Sequence, residues 1–158
     1  MKKLENSFSI TGALLDSIKD YLSGRLQFTV LNGVKSDILP VTTGIPQGSV
    51  LGPTLFTLFT NDLPEAISEG NLYMYADDTS IYCIGENADV AVAALNNALQ
   101  EVQMWCTDNR LTPHPTKSEA IARPLPPVLL GSSVLSYVTK SRLLGMCVDD
   151  QLNWVPHT

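Results

Sequence analysis

Residues 71–84 read Asn71-Leu72-Tyr73-Met74-Tyr75-Ala76-Asp77-Asp78-Thr79-Ser80-Ile81-Tyr82-Cys83-Ile84. Two runs rich in aromatic and β-branched side chains flank one acidic dipeptide, which predicts two strands joined as a hairpin with Asp77-Asp78 in the turn. The aspartates are the only charges in the stretch, so both strands are expected to be buried, with acid only at the tip. Adjacent carboxylates repel unless a cation lies between them. A divalent metal relieves that repulsion. Hard oxygen ligands suit Mg²⁺, and two such ions ~4 Å apart clamp the attacking and leaving oxygens of a phosphoryl displacement. The plain alternative is a solvated turn, because aspartate is a common turn residue.

Upstream, residues 44–53 read Gly-Ile-Pro-Gln-Gly-Ser-Val-Leu-Gly-Pro, a run of chain breakers that predicts a special loop. It feeds a helix over 54–63, with Leu55, Phe56, Leu58 and Phe59 before Pro64. Further upstream, the apolar runs 27–31 and 34–41 flank Asn32-Gly33, a pair that supplies positive φ at both centres of a two-residue hairpin turn. Ile10, Leu14, Leu15, Ile18, Tyr21 and Leu22 recur at helical spacing and stop at Ser23-Gly24, which predicts an amphipathic helix over 10–22. Downstream of the acidic hairpin, Ala91, Leu95, Ala98, Leu99, Val102, Trp105 and Cys106 keep helical period from Asn87 to about Asn109. A strand over 117–122 follows a Pro-rich link, then a second Pro-rich break over 123–127, then short strands over 128–130, 134–138 and 143–148. Trp105 and Trp154 are expected to be core anchors, and His114 and His157 loop residues without metal-ligand spacing.

The chain has 158 residues, 44% of them apolar and 16% charged, the profile of one folded domain with a single core and not of a disordered chain. Ten Lys and Arg against sixteen Asp and Glu give a net charge of −6, the wrong sign for a free-standing module that binds by neutralising phosphates. Neither half is a basic arm. Cys83, Cys106 and Cys147 have no CxxC spacing and no paired histidines, which argues against a disulfide framework and structural zinc. With no apolar leader and no run of ~18 apolar residues, the chain is expected to be soluble and intracellular.

Tyr75-Ala76-Asp77-Asp78 resembles the aromatic-x-Asp-Asp signature of the reverse transcriptase palm. Gly44-Ile45-Pro46-Gln47-Gly48-Ser49-Val50-Leu51-Gly52-Pro53 is similar to that family's Pro-Gln-Gly motif, and Asn61-Asp62-Leu63-Pro64 stands where the family has its next element. The likeness continues through Trp105, Asn109, Leu111, Lys117-Ser118-Glu119, Leu144-Gly145 and Leu152-Asn153-Trp154. Tyr21-Leu22-Ser23-Gly24-Arg25-Leu26-Gln27 and the form Gln-Gly-Ser-Val-Leu-Gly-Pro look most like non-LTR, LINE-type retrotransposons.

The resemblance implies an α+β fold, the polymerase palm, in which a ferredoxin-like (RRM-like) antiparallel sheet carries packed helices. It implies Asp77 and Asp78 as catalytic, metal-binding carboxylates with Mg²⁺ as cofactor. Lys117 corresponds to a lysine near the nucleotide phosphates, and Pro46, Gln47, Gly48, Tyr75 and Ala76 to the nucleotide- and template-binding surface. The implied partners are an RNA template, a DNA primer and a deoxynucleoside triphosphate, with no membrane. The family also uses a third carboxylate on an earlier strand, and no aspartate before the Pro-Gln-Gly loop fits it. Residues 1–158 are therefore expected to be a partial reverse transcriptase domain without fingers, first central strand or thumb, and inactive alone. A non-catalytic interaction module, self-associating through the sheet edge left open, is the competing expectation.

Overall fold

The computed structural model describes residues 1–121 and 126–151. Ala122, most of the second Pro-rich break, Leu152-Asn153-Trp154 and His157 lie outside the described residues. The chain divides into two compact units, Met1–Asn61 and Asp62–Thr158.

The first unit opens with α1 (Lys2–Phe8) and α2 (Gly12–Leu22). α2 falls where the periodicity places it; α1 is unforeseen, because seven residues with one buried side chain, Leu4, leave no period to read. Its end is closed by Ser9 in the left-handed region (φ 52), with the Ile10 amide donating to the Leu4 carbonyl at 3.0 Å. Strands β1 (Leu26–Gln27), β2 (Val30–Leu31), β3 (Val34–Lys35) and β4 (Leu39–Pro40) form one interrupted antiparallel hairpin. Asn32 (φ 50) and Gly33 (φ 79) make the expected turn. The Ser36 hydroxyl accepts the Thr29 amide at 2.9 Å, a side chain standing in for a ladder carbonyl. Every residue of these four strands is exposed.

Helix α3 (Gly52–Thr60) starts two residues earlier than expected, because Pro53 suits a first helical turn, where its missing N–H costs nothing. Leu4, Leu15, Ile18 and Leu55 are the buried centre of this unit, and Ile45 packs against them. Lys3 Nζ donates to the Phe59 carbonyl at 2.9 Å and lies 4.8 Å from the Phe59 ring centroid, a cation at the last turn of α3.

The second unit is organised by α4 (Ala88–Asp108), capped by the Asn87 side chain, which accepts the Val90 amide at 3.0 Å. Before it come a 3₁₀ turn (Pro64–Ala66) and the strands β5 (Asn71–Tyr75) and β6 (Asp78–Tyr82). Along α4, Val92 and Leu99 pack with Ala120, Val128, Leu130 and Leu135. Val102, Trp105 and Cys106 pack with Leu63, so Trp105 is the core anchor expected of it. Ile81 of β6 touches both clusters. The single core expected from chain length is thus replaced by separate clusters in two units.

After α4 come a 3₁₀ turn (Pro115–Lys117), β7 (Glu119–Ile121), β8 (Leu129–Leu130), β9 (Ser133–Val134), β10 (Ser136–Val138), β11 (Lys140–Leu143) and β12 (Met146–Asp149). Among the described residues, strands pair two by two in six ladders. An all-antiparallel arrangement does not hold: β7 and β10 pair in parallel, Ala120 opposite Tyr137. Parallel pairing needs a long connection, and the chain between them is long enough to include the β8–β9 hairpin. Asn96 of α4 ties that connection down, accepting the Leu129 amide at 2.8 Å and donating to the Pro127 carbonyl at 3.0 Å. The fold class is α+β, and among the described residues no helix is long and apolar enough to cross a membrane.

Candidate active site

The acidic hairpin forms where its sequence predicts, with one correction to its tip. Tyr75 is paired with Asp78, so the two turn residues are Ala76 and Asp77, and Asp78 is the first residue of β6. The acidic pair itself is shared between turn and strand because the turn falls one residue earlier in the chain than one centred on the pair, with Tyr75 and not Ala76 closing the ladder. Ala76 takes the positive φ (53) that such a tight reversal needs, at a cost of about 1 kcal/mol for a residue with a Cβ.

Expected burial on both faces is also corrected. Facing pairs share a side of the ladder, so Leu72, Met74 and Ile81 occupy one face, half-buried against Leu63, Val102, Trp105 and Cys106. Tyr73, Tyr75, Asp78 and Tyr82 occupy the other, where the tyrosines are 62%, 67% and 44% exposed. Strand alternation explains the split: an aromatic at every second position is apolar in composition but faces away from α4. Tyr73 and Tyr82 stack with centroids 5.9 Å apart and planes 9° from parallel. The Tyr73 side chain, by hydrogen bonding and then by charge, pushes the Tyr82 phenol above the usual tyrosine range. This stacked pair on the acid-bearing face was legible only through the register, once Tyr75 is opposite Asp78.

Asp77 and Asp78 are exposed. Their carboxylates are the hard oxygen donors Mg²⁺ prefers. Among the described residues no third His, Cys, Asp or Glu gathers with them, so the donor set fits a metal in kind and falls short of a two-ion centre in number. Lys117 is not in a strand as expected: it ends the 3₁₀ turn ahead of β7, because the proline at 115 favours a tight turn. It is exposed and makes no side-chain hydrogen bond or ion pair with either aspartate.

The remaining predicted residues belong to the first unit. Pro46 is half-buried, Gln47 and Gly48 are exposed, and the Ser49 amide donates to the Pro46 carbonyl at 3.3 Å. Gly48 is the third residue of that turn with φ 77, the position at which a type II turn calls for glycine. A Cβ there would meet nothing within 4 Å, so the backbone stands open on that side. The structure therefore unites Tyr75, Ala76, Asp77 and Asp78 on one tip and Pro46, Gln47 and Gly48 on one turn.

Residues 3–148 match the family model described as Reverse transcriptase (RNA-dependent DNA polymerase). The chain belongs to the reverse transcriptase family. It is 31% identical over 160 residues to the RNA-directed DNA polymerase from mobile element jockey of Drosophila funebris, covering 91% of this chain and 17% of that protein. The jockey polymerase of Drosophila melanogaster is 28% identical, covering 89% of this chain and 17% of the relative. The probable RNA-directed DNA polymerase from transposon BS of the same species is 27% identical, with the same two shares. This reverse transcriptase chain, of the non-LTR mobile-element kind, thus spans about a sixth of the curated relatives it matches. No solved structure matches it.

Proposed function

We propose that this chain is the palm portion of a mobile-element RNA-directed DNA polymerase, its strands belonging to a ferredoxin-like sheet that is complete only with further sequence. Asp77 and Asp78 are the carboxylates that hold Mg²⁺ in that enzyme, Lys117 balances charge on the departing pyrophosphate, and Pro46, Gln47, Gly48, Tyr75 and Ala76 bear on the incoming nucleotide and the template. The observation that carries this reading is the tip itself: two neighbouring carboxylates at the end of a two-stranded ladder whose other face is anchored on α4. A rigid mount of this kind keeps metal ligands in place, where a misplacement of ~1 Å costs ~10²-fold in rate.

Two carboxylates leave a two-ion centre incomplete, so the chain by itself is inactive and the RNA template, DNA primer and nucleotide are partners of a longer polypeptide. The test is primer extension on an RNA template with Mg²⁺, comparing this chain with the same chain carrying additional upstream sequence from its element. Synthesis by the extended form alone, abolished by Asp77→Ala, is the expected result. A folded extended form without synthesis overturns the reading.

One observation favours a second reading. Leu26, Phe28, Val30, Leu31, Val34, Ile38 and Leu39 are all exposed on the first-unit hairpin, and an apolar hairpin with free edges is a surface for strand addition. Under that reading the chain self-associates as a non-catalytic module. A monodisperse dimer in sedimentation that persists without Mg²⁺ supports it, and a monomer excludes it.

A further inference from the structure

We infer that Arg25 is the positioning residue of the Pro-Gln-Gly loop, and through it a determinant of affinity for the incoming nucleotide; this rests on the polymerase reading above. One residue joins three elements. Arg25 Nε donates to the Leu22 carbonyl at the end of α2 (3.1 Å), Nη2 donates to the Gly44 carbonyl at the start of the loop (2.6 Å), and its own carbonyl accepts the Val41 amide at the foot of the hairpin (2.8 Å). Among the described residues the guanidinium pairs with no carboxylate, so its directed bonds go to these two carbonyls. The Leu22 carbonyl is at a helix C-terminus, where backbone acceptors lack intrahelical partners and a cation is favoured.

The loop needs such a holder on that side. Downstream of Gly44 it is fixed by Ile45, which packs against the buried centre of the unit, and by the turns that close Ser49 onto Pro46 and Gly52 onto Ser49. Upstream, Gly44 itself is a swivel: φ 78, exposed, with nothing within 4 Å of where a Cβ would stand. Rotation there pulls Ile45 from its packing and moves Pro46, Gln47 and Gly48 with it. The Arg25 fork, planar and able to bond two acceptors at once, fixes the carbonyl of that swivel; a lysine ammonium lacks the fork.

The test has two independent readouts. In this chain, exchange of the Ser49 and Gly52 amides, whose hydrogen bonds close the turns of the loop, accelerates about tenfold in Arg25→Ala while the amides of Leu15 and Ile18 in α2 keep their protection, and Arg25→Lys falls between. Equal acceleration at all four amides means general loosening and overturns the inference, as does no change at Ser49 and Gly52. In the extended polypeptide of the extension assay, Arg25→Ala raises the nucleotide KM roughly tenfold or more with kcat held, and Arg25→Lys recovers part of it. A loosened loop with an unchanged KM overturns the nucleotide role. Failure of the polymerase reading is recognised separately, by synthesis that survives Asp77→Ala or never occurs.

Discussion

Ala76 is the residue at which local geometry and chemistry meet. With φ 53 it is held in the left-handed region, and the next two residues in the chain are the carboxylates proposed for the metal site. Ala76→Gly removes the Cβ conflict, worth about 1 kcal/mol, against an unfolded-chain entropy cost of about 0.4–1 kcal/mol; the expected outcome is stability unchanged to about 0.5 kcal/mol higher. Ala76→Val places a β-branched residue at positive φ and lowers stability by more than about 1 kcal/mol. Urea midpoints followed by Trp105 fluorescence measure both, and a valine variant as stable as the parent would mean that the turn relaxes. On the same hairpin, Tyr82 titrates above its ordinary value of 10.0 because of Tyr73. A raised pKa means that the folded hairpin favours the neutral phenol; that contribution is complete below the unfolded value and is lost as pH rises through the folded one. Tyr73→Phe therefore brings Tyr82 ionisation to lower pH in an ultraviolet titration, and an unchanged curve removes Tyr73 as the cause.

Element by element, α4 is the member on which the second unit depends. Asn87→Ala deletes the side-chain cap and is expected to lower stability by about 1 kcal/mol. Glu101, near its other end, accepts both the amide (2.8 Å) and the hydroxyl (2.6 Å) of Ser68, which holds the segment between the 3₁₀ turn and β5. Those bonds keep its carboxyl below the ordinary 4.5. The linkage for a lowered carboxyl runs the other way from a tyrosine: the contribution is present above the unfolded value and lost as pH falls through the folded one. In Glu101→Gln the acid limb of the stability curve below about pH 4.5 is shallower, and a limb identical to the parent's would assign acid sensitivity to other carboxylates. α4, α2, the Asn32-Gly33 turn and the existence of the acidic hairpin, though not the centre of its turn, were legible because each rests on a local signal: a long 3.6-residue period, or a reversal between apolar runs. What was not legible depends on partners elsewhere in the chain. The seven residues of α1 form around Leu4, the parallel pairing of β7 with β10 is decided by a connection held to Asn96, and the exposed face of β5–β6 follows from which side α4 covers. In the candidate site, the residues of the acidic tip and the Pro-Gln-Gly turn could be named from their motifs, whereas the assignment of Asp78 to β6, Lys117 to a 3₁₀ turn and Arg25 to the loop needed the backbone.

At the scale of the whole molecule the deciding quantity is charge. On the proposed polymerase reading the longer protein must hold a polyanion, yet this chain carries a net −6, and two of its sixteen acidic side chains are the exposed carboxylates of the tip. Phosphate contacts by Lys and Arg supply most of the non-sequence-specific affinity for nucleic acid. On that reading the gripping surface is proposed to belong to a longer polypeptide; this chain covers 17% of its jockey relative. The expected outcome is that this chain alone holds an RNA–DNA primer-template no more tightly than ~10⁻⁴ M at ~0.15 M salt, the weak end of non-specific binding. Mg²⁺ should increase retention modestly, by placing positive charge at Asp77-Asp78, and Asp77→Ala should cancel that increase. Fluorescence anisotropy with a labelled primer-template across a salt series reads all three. A dissociation constant in the micromolar range with a steep salt slope would locate the gripping surface inside this chain, and would require a cluster of its ten Lys and Arg to act together against the net charge.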